Sequence, residues 1–283
     1  VMHACGHDIH MTVWAGVARE LAAKRQQWSG TVVMIAQPAE EIVGGAKAML
    51  NDGLFTRFPR PDYALALHDD SRIPAGMVSV PARAALSAVN TIDLIVKGIG
   101  GHGAYPSTTK DPVVLSARIV TALQTLVSRE NDPFKPAVVT VGSIHGGTKH
   151  NIIPDAVKLQ LTVRSYDAEQ QKRLLDGIAR VARGEAIAAG VPDALLPEMI
   201  VDPATSPPTL NTPELAQRLQ ALFEARLGKD RVPTLDPSMA SEDFNQFGLA
   251  DPKIQTAIYC LGALPRAKRE AARAAAPAAP SLH

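Results

Sequence analysis

Three histidines, a cysteine and an aspartate stand within the first ten residues, VMHACGHDIH. Cys5 and His7 are two positions apart, and the residues that follow have the apolar spacing of a helix. On a turn that leads into a helix, this spacing can direct a thiolate and an imidazole at one centre. The alternative is a buried or reactive cysteine beside surface histidines. Both interpretations stay open on this stretch alone.

Two adjacent carboxylates, Glu40 and Glu41, follow the apolar run TVVMIAQ (31–37), which predicts a strand buried on both faces. Open α/β sheets bind ligands at the carboxyl ends of their strands. On an extended backbone neighbouring side chains point in different directions, so one carboxylate can bind a metal while the other handles protons. The alternative is a pair of solvated glutamates at a helix start, where acidic residues are favoured.

His68 ends a second predicted buried strand, YALALH (63–68). A lone histidine in such a place is more often a hydrogen-bonded core residue than a ligand. Three such pieces in this order nevertheless favour one shared metal site. Thiolate, imidazole and carboxylate ligands together suit zinc, and also manganese, cobalt or nickel.

Two further side chains could act on a substrate. His102 lies in the glycine-rich turn GIGGHG, which lacks the GK[ST] of a phosphate-binding loop and follows a half-exposed strand, so nucleotide binding is not expected. A histidine donor on this turn could stabilise an oxyanion, and the alternative is a plain flexible turn. Arg164, near the end of an alternating strand, offers a fork that pairs with a carboxylate, or else forms a surface ion pair.

The order of predicted elements indicates an α/β protein with an insert. Helices and apolar strands alternate up to residue 68, as in a doubly wound sheet, and this pattern resumes with a helix at 213–227 and a strand near 254–262. Between them lies a predicted β-α-β-β-α-β unit of the ferredoxin-like type. We expect its strands at 91–98, 137–144 and 156–165, with a last strand in LLPEMIVD. We expect its helices at 111–129 and 168–190. We therefore expect a first domain part at 1–88, an inserted domain at 89–204 and a second domain part at 205–283.

Composition narrows the classes of partner. The chain of 283 residues has 29 basic and 28 acidic residues and a net charge of +1, which does not favour nucleic acid or membrane surfaces. It has no apolar run of the roughly 18 residues that span a bilayer. Two cysteines are too few for a disulfide framework, so we expect a reducing compartment, the cytoplasm, with Cys260 as a core residue.

The motifs together resemble a known family. HACGHD, QPAEE, LH followed by P-x-G, GxGxHGAxP, NxIP, an Arg-Ser at a strand end, SEDF and a late LH are similar to the amidohydrolase branch of the two-metal aminoacylase family. That branch includes N-acyl-amino-acid amidohydrolases, hippurate hydrolases and auxin-conjugate hydrolases. The resemblance extends over essentially the whole chain but lacks the family's N-terminal catalytic segment and last helix. We therefore expect a piece, or an early-truncated product, of a larger hydrolase.

The resemblance implies a role for each matching residue. The metal ligands would be Cys5, His7, Glu41, His68 and His283. Glu40 would be the catalytic carboxylate, and His102 would reach from the inserted lid domain into the partner subunit's active site. The substrate's carboxylate end would be held by Asn151 and Arg164. The candidates for supporting positions are His3, His10, Glu242 and Asp243.

The implied activity is hydrolysis of the amide bond of N-acyl amino acids. Five protein ligands are too many for one tetrahedral zinc and suit two divalent ions that share a water. Glu40 would take the water proton and pass it to the leaving nitrogen. We expect a homodimer through the lid domain. Three alternatives stay open: a dipeptidase or aminopeptidase of the same family, an inactive metal-binding or dimerising relative, and an enzyme with Cys5 as nucleophile.

Overall fold

The chain forms two compact units. The computed structural model describes residues 5–250 and 254–275. Unit 1 comprises the described residues up to 85, those from 209 to 238 and those from 243 onward, and unit 2 comprises 86–208 and 239–242. The sequence predicted divisions after residues 88 and 204, and these domain limits stay predictions. The inclusion of 239–242 in unit 2 is a feature that the sequence did not predict.

Helices and strands are numbered here in chain order. The α-helices are α1 (His7–Ala23), α2 (Gly45–Asn51), α3 (Leu54–Arg57), α4 (Pro112–Ser128), α5 (Ala168–Ala188), α6 (Pro213–Leu227), α7 (Asn245–Ala250) and α8 (Arg266–Ala275). The strands are β1 (Tyr63–Pro74), β2 (Val78–Ser79), β3 (Ala84–Leu86), β4 (Ala88–Lys97), β5 (Gly101–His102), β6 (Ala137–His145), β7 (Ile152–Ile153), β8 (Ala156–Ser165), β9 (Glu198–Val201), β10 (Thr209–Leu210) and β11 (Gln255–Leu264). None of the helices in the described residues is both long and apolar enough to cross a membrane.

Unit 1 contains a three-stranded sheet in the order β1-β11-β2. β1 and β11 are parallel, and His68 lies beside Cys260 in their register. Helix α6 packs on this sheet through Leu215 and Leu219, which contact Ala257 in the core of the unit. The fold of unit 1 is therefore mixed α/β with one parallel strand pair in the described residues, and the doubly wound sheet stays a prediction.

Two expectations for unit 1 were wrong. Residues 31–37 form no strand, and Val32 in that run is exposed. β1 is not buried on both faces, since Leu65 is 53% exposed. A continuous apolar run predicts burial only if neighbouring strands supply hydrogen bonds and cover. Among the described residues β1 pairs with one strand only, and the run 31–37 pairs with none.

Unit 2 is a four-stranded antiparallel sheet with two helices. Its elements follow the predicted order β-α-β-β-α-β, and the strand order across the sheet is β6-β8-β4-β9. Every second residue of β8 is buried, as an alternating strand requires. The core lies between the sheet and the helices α4 and α5, and its fully buried side chains include Ile92, Ile119, Leu123, Leu159 and Ile178.

Local sequence explains where the two helices begin and how closely they pack. Asp111 precedes Pro112 at the start of α4, and its carboxylate accepts N–H bonds from Val113 and Val114. Proline suits the first helical position because its missing N–H would have no partner there. In α5, a Cβ on Gly177 would lie 2.8 Å from a methyl group of Leu126, so glycine allows α5 to approach α4.

The cap of α5 gives a stability prediction. The Asp167 carboxylate accepts N–H bonds from Gln170 and Glu169, which hold its pKa below the usual value. The cap therefore stabilises the folded protein at neutral pH, and this contribution is lost as the pH falls through the lowered pKa. We expect Asp167→Ala to lower the free energy of unfolding at pH 7 by about 1 kcal/mol, measured by chemical denaturation.

Asp167→Asn is the matched control, because its amide oxygen can still accept the two N–H bonds. We expect this variant to keep nearly all of the stability at pH 7. An alanine variant as stable as the parent protein would show that the cap does not hold α5.

Candidate metal centre

The turn from Cys5 to His7 depends on Gly6. Gly6 precedes α1 with φ of 73°, a left-handed conformation that disfavours other residues. Its carbonyl accepts the N–H groups of Ile9 and His10. A Cβ on Gly6 would lie 2.0 Å from Oδ1 of Asp69, so the Asp69 carboxylate rests directly on the turn. Both conformation and contact therefore require glycine between the two candidate ligands.

The first group of candidate ligands is Cys5, His7 and His68. One ligand atom from each lies within 4.8 Å of the others, and Cys5 is buried. Sγ of Cys5 is 3.6 Å from Nε2 of His68. Two atoms bound to one tetrahedral zinc at about 2.3 and 2.0 Å would be separated by about this distance.

The orientation of His68 leaves a ligand atom available. Its Nδ1 lies 2.7 Å from the carbonyl oxygen of Asp69, to which it donates a hydrogen bond. The proton is therefore on Nδ1, and the lone pair of Nε2 faces Cys5.

The expectation that His68 ends its strand was wrong, because β1 continues to Pro74.

The second group is His7, Glu40 and Glu41. Nε2 of His7 lies 3.5 Å from Oε1 of Glu41 and 3.7 Å from Oε2 of Glu40. The two carboxylates thus approach one imidazole, whereas the sequence predicted that they point apart. The physical reason is that they lie on a 3₁₀ turn, Glu40–Ile42, and not on an extended segment.

This turn carries a strained backbone. Ala39 before it and Val43 after it have φ of 55° and 54°, and they are the two non-glycine residues with positive φ in the described part of the chain. Such residues cost about 1–3 kcal/mol each and are concentrated at functional sites. A β-branched valine is especially disfavoured there.

Contacts within unit 1 fix the position of the Glu40 turn. A Cβ on Gly45 would lie 1.6 Å from the carbonyl oxygen of Pro38, so α2 begins against the chain just before the glutamates. The fully buried Asp243 accepts hydrogen bonds from Nε2 of Gln37 and from the Ala46 amide. Asp243 therefore joins the chain before the Glu40 turn to the start of α2, and its supporting role in a metal site stays a prediction. Glu242 belongs to unit 2, where its carbonyl accepts a hydrogen bond from Ser206.

The electrostatics of the cluster fit a cation. Burial, and after it the carboxylates of Glu41 and Glu40, raise the pKa of Cys5 to about 12. A thiol in this setting stays protonated unless a positive charge lies beside it. Thiolate, imidazole and carboxylate are ligand types that zinc and related divalent ions accept. The residues present therefore fit a divalent metal ion.

Unit 2 contains three other predicted residues. His102 is exposed on β5, and its Nδ1 accepts the Ala104 N–H, which leaves the proton of a neutral ring on Nε2. Asn151 precedes β7, the partner strand of β5, and its carbonyl accepts the Gly103 N–H at 2.7 Å. His102 and Asn151 thus lie close together, since His102 pairs with Ile152 in the β5–β7 ladder.

Arg164 lies on β8 in the same unit. Its Nη1 donates to the Met239 carbonyl at 2.9 Å, and burial lowers the pKa of the guanidinium. His3 and His283 lie outside the described residues.

Sequence reasoning named His10 as a supporting candidate but missed its partner Asp69. Burial and the neighbouring His68 lower the pKa of His10 to about 4. Its neutral Nε2 can therefore accept the Asp69 N–H, at 3.0 Å. The only signal of Asp69 in the sequence was its place directly after His68.

Comparison with known proteins identifies the family. The family described as Peptidase family M20/M25/M40 matches residues 1–276. The chain belongs to this family. The match confirms the resemblance drawn from the motifs.

Three similar proteins illustrate the match. An IAA-amino acid hydrolase of Arabidopsis thaliana, ILR1-like 2, is 36% identical over 256 residues, which are 89% of this chain and 56% of that protein. An N-acetyldiaminopimelate deacetylase of Leuconostoc citreum is 36% identical over 243 residues, 86% of this chain and 61% of that protein. The YXEP protein of Bacillus subtilis, a dinuclear metal binding peptidase from the M20 family, has a similar crystal structure, with a TM-score of 0.72 and 28% identity over 92% of this chain and 64% of that one. The chain thus spans less than two thirds of each.

The Gly6 turn gives a prediction for the metal centre. Gly6→Ala introduces a Cβ that collides with Asp69 in a conformation that alanine disfavours. We expect about 5–150-fold weaker binding of Zn²⁺ to this variant in a calorimetric titration, since strain of about 1–3 kcal/mol falls on the ligand turn.

Gly16→Ala is the matched control, because Gly16 lies in the helix that Gly6 precedes and its Cβ would meet nothing within 4 Å. We expect unchanged zinc affinity and an equal or higher melting temperature. Equal zinc affinity of the two variants would mean that the turn does not position the ligands.

Proposed function

We propose that the chain carries the catalytic centre of a metal-dependent amidohydrolase that cleaves the amide bond of N-acyl amino acids. Two divalent ions, zinc, manganese, cobalt or nickel, would be held by Cys5, His7, Glu41 and His68 together with His283, which lies outside the described residues. One observation carries the proposal: the Cys5 and Glu41 ligand groups of unit 1 converge, because His7 belongs to both.

The substrate class is supported by the family. The Arabidopsis relative is named for an amino acid joined to IAA, and the Leuconostoc relative is named for an N-acetylated amino acid. Both names describe an amide between an acyl group and the nitrogen of an amino acid. For this chain we propose the same bond class, with hippurate-like N-acyl amino acids or related conjugates as substrates.

The chemistry divides between the ions and the side chains. When bound, two divalent ions polarise the amide carbonyl and make a water acidic enough to attack it. Glu40 would take the proton of this water, and its carboxylate, 3.7 Å from His7 and 22% exposed, supports this role. The C–N bond then breaks, and Glu40 returns the proton to the leaving nitrogen. The products are a carboxylic acid and an amino acid.

Residues of unit 2 would complete the site. A neutral His102 has its proton on Nε2, so it can donate to the oxyanion that develops on the carbonyl. Asn151 and Arg164 would hold the substrate carboxylate. Arg164 has five N–H donors, of which one bonds to Met239, so its fork can also engage a ligand. We further propose a homodimer through unit 2, in which His102 acts in the site of the partner subunit.

The alternatives are not equally supported. The raised pKa of Cys5 argues against a nucleophilic thiolate, which needs a lowered pKa. A dipeptidase or aminopeptidase would have the same metal ligands and differ in the pocket for the amino group. An inactive relative would bind metal without hydrolysis. Metal content and activity on N-benzoyl and N-acetyl amino acids and on dipeptides, measured on one sample, distinguish these cases.

Glu40→Ala tests the proton-transfer role. We expect the variant to keep its bound metal, because the ligands are other residues, and to lose at least about 100-fold in kcat on N-benzoyl amino acids. Metal content by elemental analysis and initial rates are the measurements. Glu20→Ala is the control, since Glu20 lies on the exposed side of α1 and pairs with Lys24. Retained activity in Glu40→Ala would remove Glu40 from the mechanism.

Mixed dimers test the shared site. Glu40→Ala and His102→Ala homodimers are each expected to be inactive with metal bound. In an equal mixture of the two after subunit exchange, some dimers contain one site with both residues intact, so we expect activity to return to about a quarter of the parent value. No recovery, with exchange verified by mass spectrometry, would place His102 in the site of its own subunit or outside catalysis.

A further inference from the structure

Asp69, the residue after His68, contacts several parts of the candidate metal centre. Asp69 is 4% exposed, and acidic side chains are rarely so buried without a partner. Oδ1 of Asp69 lies 3.4 Å from the protonated Nδ1 of His68, and it lies 3.1 Å from Nε2 of His10, which accepts the Asp69 N–H and donates no hydrogen bond to Oδ1. The carboxylate also covers Gly6, between the ligands Cys5 and His7.

The backbone of Asp69 contacts the same two histidines. Its carbonyl accepts the Nδ1–H of His68 at 2.7 Å, and its amide lies 3.0 Å from Nε2 of His10. One residue thus touches the ligand turn, a ligand imidazole and the first turns of α1. These are the three parts of unit 1 that must be fixed for Cys5, His7 and His68 to meet.

His10 connects these parts from the other side. Its ring lies 4.6 Å from the ring of His68, edge to face, and 5.1 Å from the ring of His7. A ring that packs against two ligand imidazoles limits their rotation. His10 is therefore held by Asp69 and in turn restricts the ligands.

We propose that Asp69, through its contacts with Gly6, His10 and His68, is a positioning residue that sets the orientation of the metal ligands, and that His10 acts with it. This inference rests on the proposed function, because it concerns the same metal centre. A bond from the second nitrogen of a ligand histidine to a carbonyl or carboxylate fixes the ring and strengthens the ligand.

The same atoms could instead form a third metal position. His10, His68 and Asp69 each offer an atom within 4.8 Å of the others. Nδ1 of His68, however, already donates to the Asp69 carbonyl and so has no lone pair for a cation. The geometry therefore favours positioning over direct ligation, and the experiment separates the two.

The test is a Co²⁺ titration of the metal-free protein, read from the thiolate-to-cobalt and d–d absorption bands. Asp69→Asn keeps the shape of the side chain and both backbone contacts. We expect it to weaken Co²⁺ binding by about 10–100-fold and to shift the d–d bands, with the number of ions bound unchanged. Its melting temperature without metal should equal or exceed that of the parent, because a buried carboxylate is removed. A purely structural role would lower that temperature instead.

Asp70→Asn is the matched control. Asp70 is the next acidic residue on β1, and its carboxylate pairs with both Nε and Nη2 of Arg72. We expect Asp70→Asn to lower the melting temperature and to leave the Co²⁺ affinity and spectrum unchanged. His10→Asn is a second probe, since it removes the ring without adding bulk, and we expect it to weaken Co²⁺ binding and shift the d–d bands as well.

The outcomes separate this inference from the proposed function. If the parent protein binds no Co²⁺, the metal centre itself is wrong. If the parent binds Co²⁺, His68→Ala weakens that binding, and both Asp69→Asn and His10→Asn match the parent in affinity and spectrum, the positioning role is wrong and the metal centre stands. Loss of one ion by Asp69→Asn, with unchanged affinity for the others, would make Asp69 a ligand and overturn the positioning role.

Discussion

The gathering of a thiol and two carboxylates around imidazoles is the constraint on which unit 1 depends. Burial and the neighbouring glutamates raise the pKa of Cys5 to about 12, so the cluster resists the thiolate form on its own. Desolvating such groups costs free energy unless a partner of opposite charge is present. The cluster is therefore better explained by the binding of a cation than by packing. The other local features of unit 1 make sense as means to hold Cys5, His7, Glu40 and Glu41 in place.

Those means are mostly backbone features. Gly6 is left-handed and lies under the Asp69 carboxylate, and Gly45 packs against the carbonyl of Pro38. Between them, Ala39 and Val43 adopt positive φ without being glycine. Strain of this kind persists only where surrounding contacts hold it, and hydrogen bonds to the buried Asp243 supply such contacts beside the Glu40 turn. These backbone conformations cost free energy of folding, which is consistent with a functional role for the turn.

The sequence predicted the fold of unit 2 better than the geometry of the site. Strands such as β8 alternate strictly, and α5 has a capping aspartate, so local rules decide both elements. The predicted strand at 31–37 was wrong because apolar composition does not show whether neighbouring strands are present to pair with it. The sequence named Glu40 and Glu41 as candidates, but their shared approach to His7 depends on a strained turn that the residue types do not predict. Asp69 was missed for a related reason: its contacts with Gly6 and His10 join residues that are distant in sequence, and no motif indicates them.

Helix α1 and the core of unit 2 are held by different interactions. Unit 2 has an apolar core in which residues such as Ile119 and Leu159 are fully buried. Helix α1 contains His7 and His10, yet none of its residues is buried. Its Trp14 donates a hydrogen bond to the carbonyl of Ile35. The first turn of α1 is thus held largely by polar contacts around Asp69. A metal ion that binds only the ordered arrangement stabilises it by mass action. Metal binding and the order of this turn are therefore linked, because the candidate ligands Cys5 and His7 lie in or next to it.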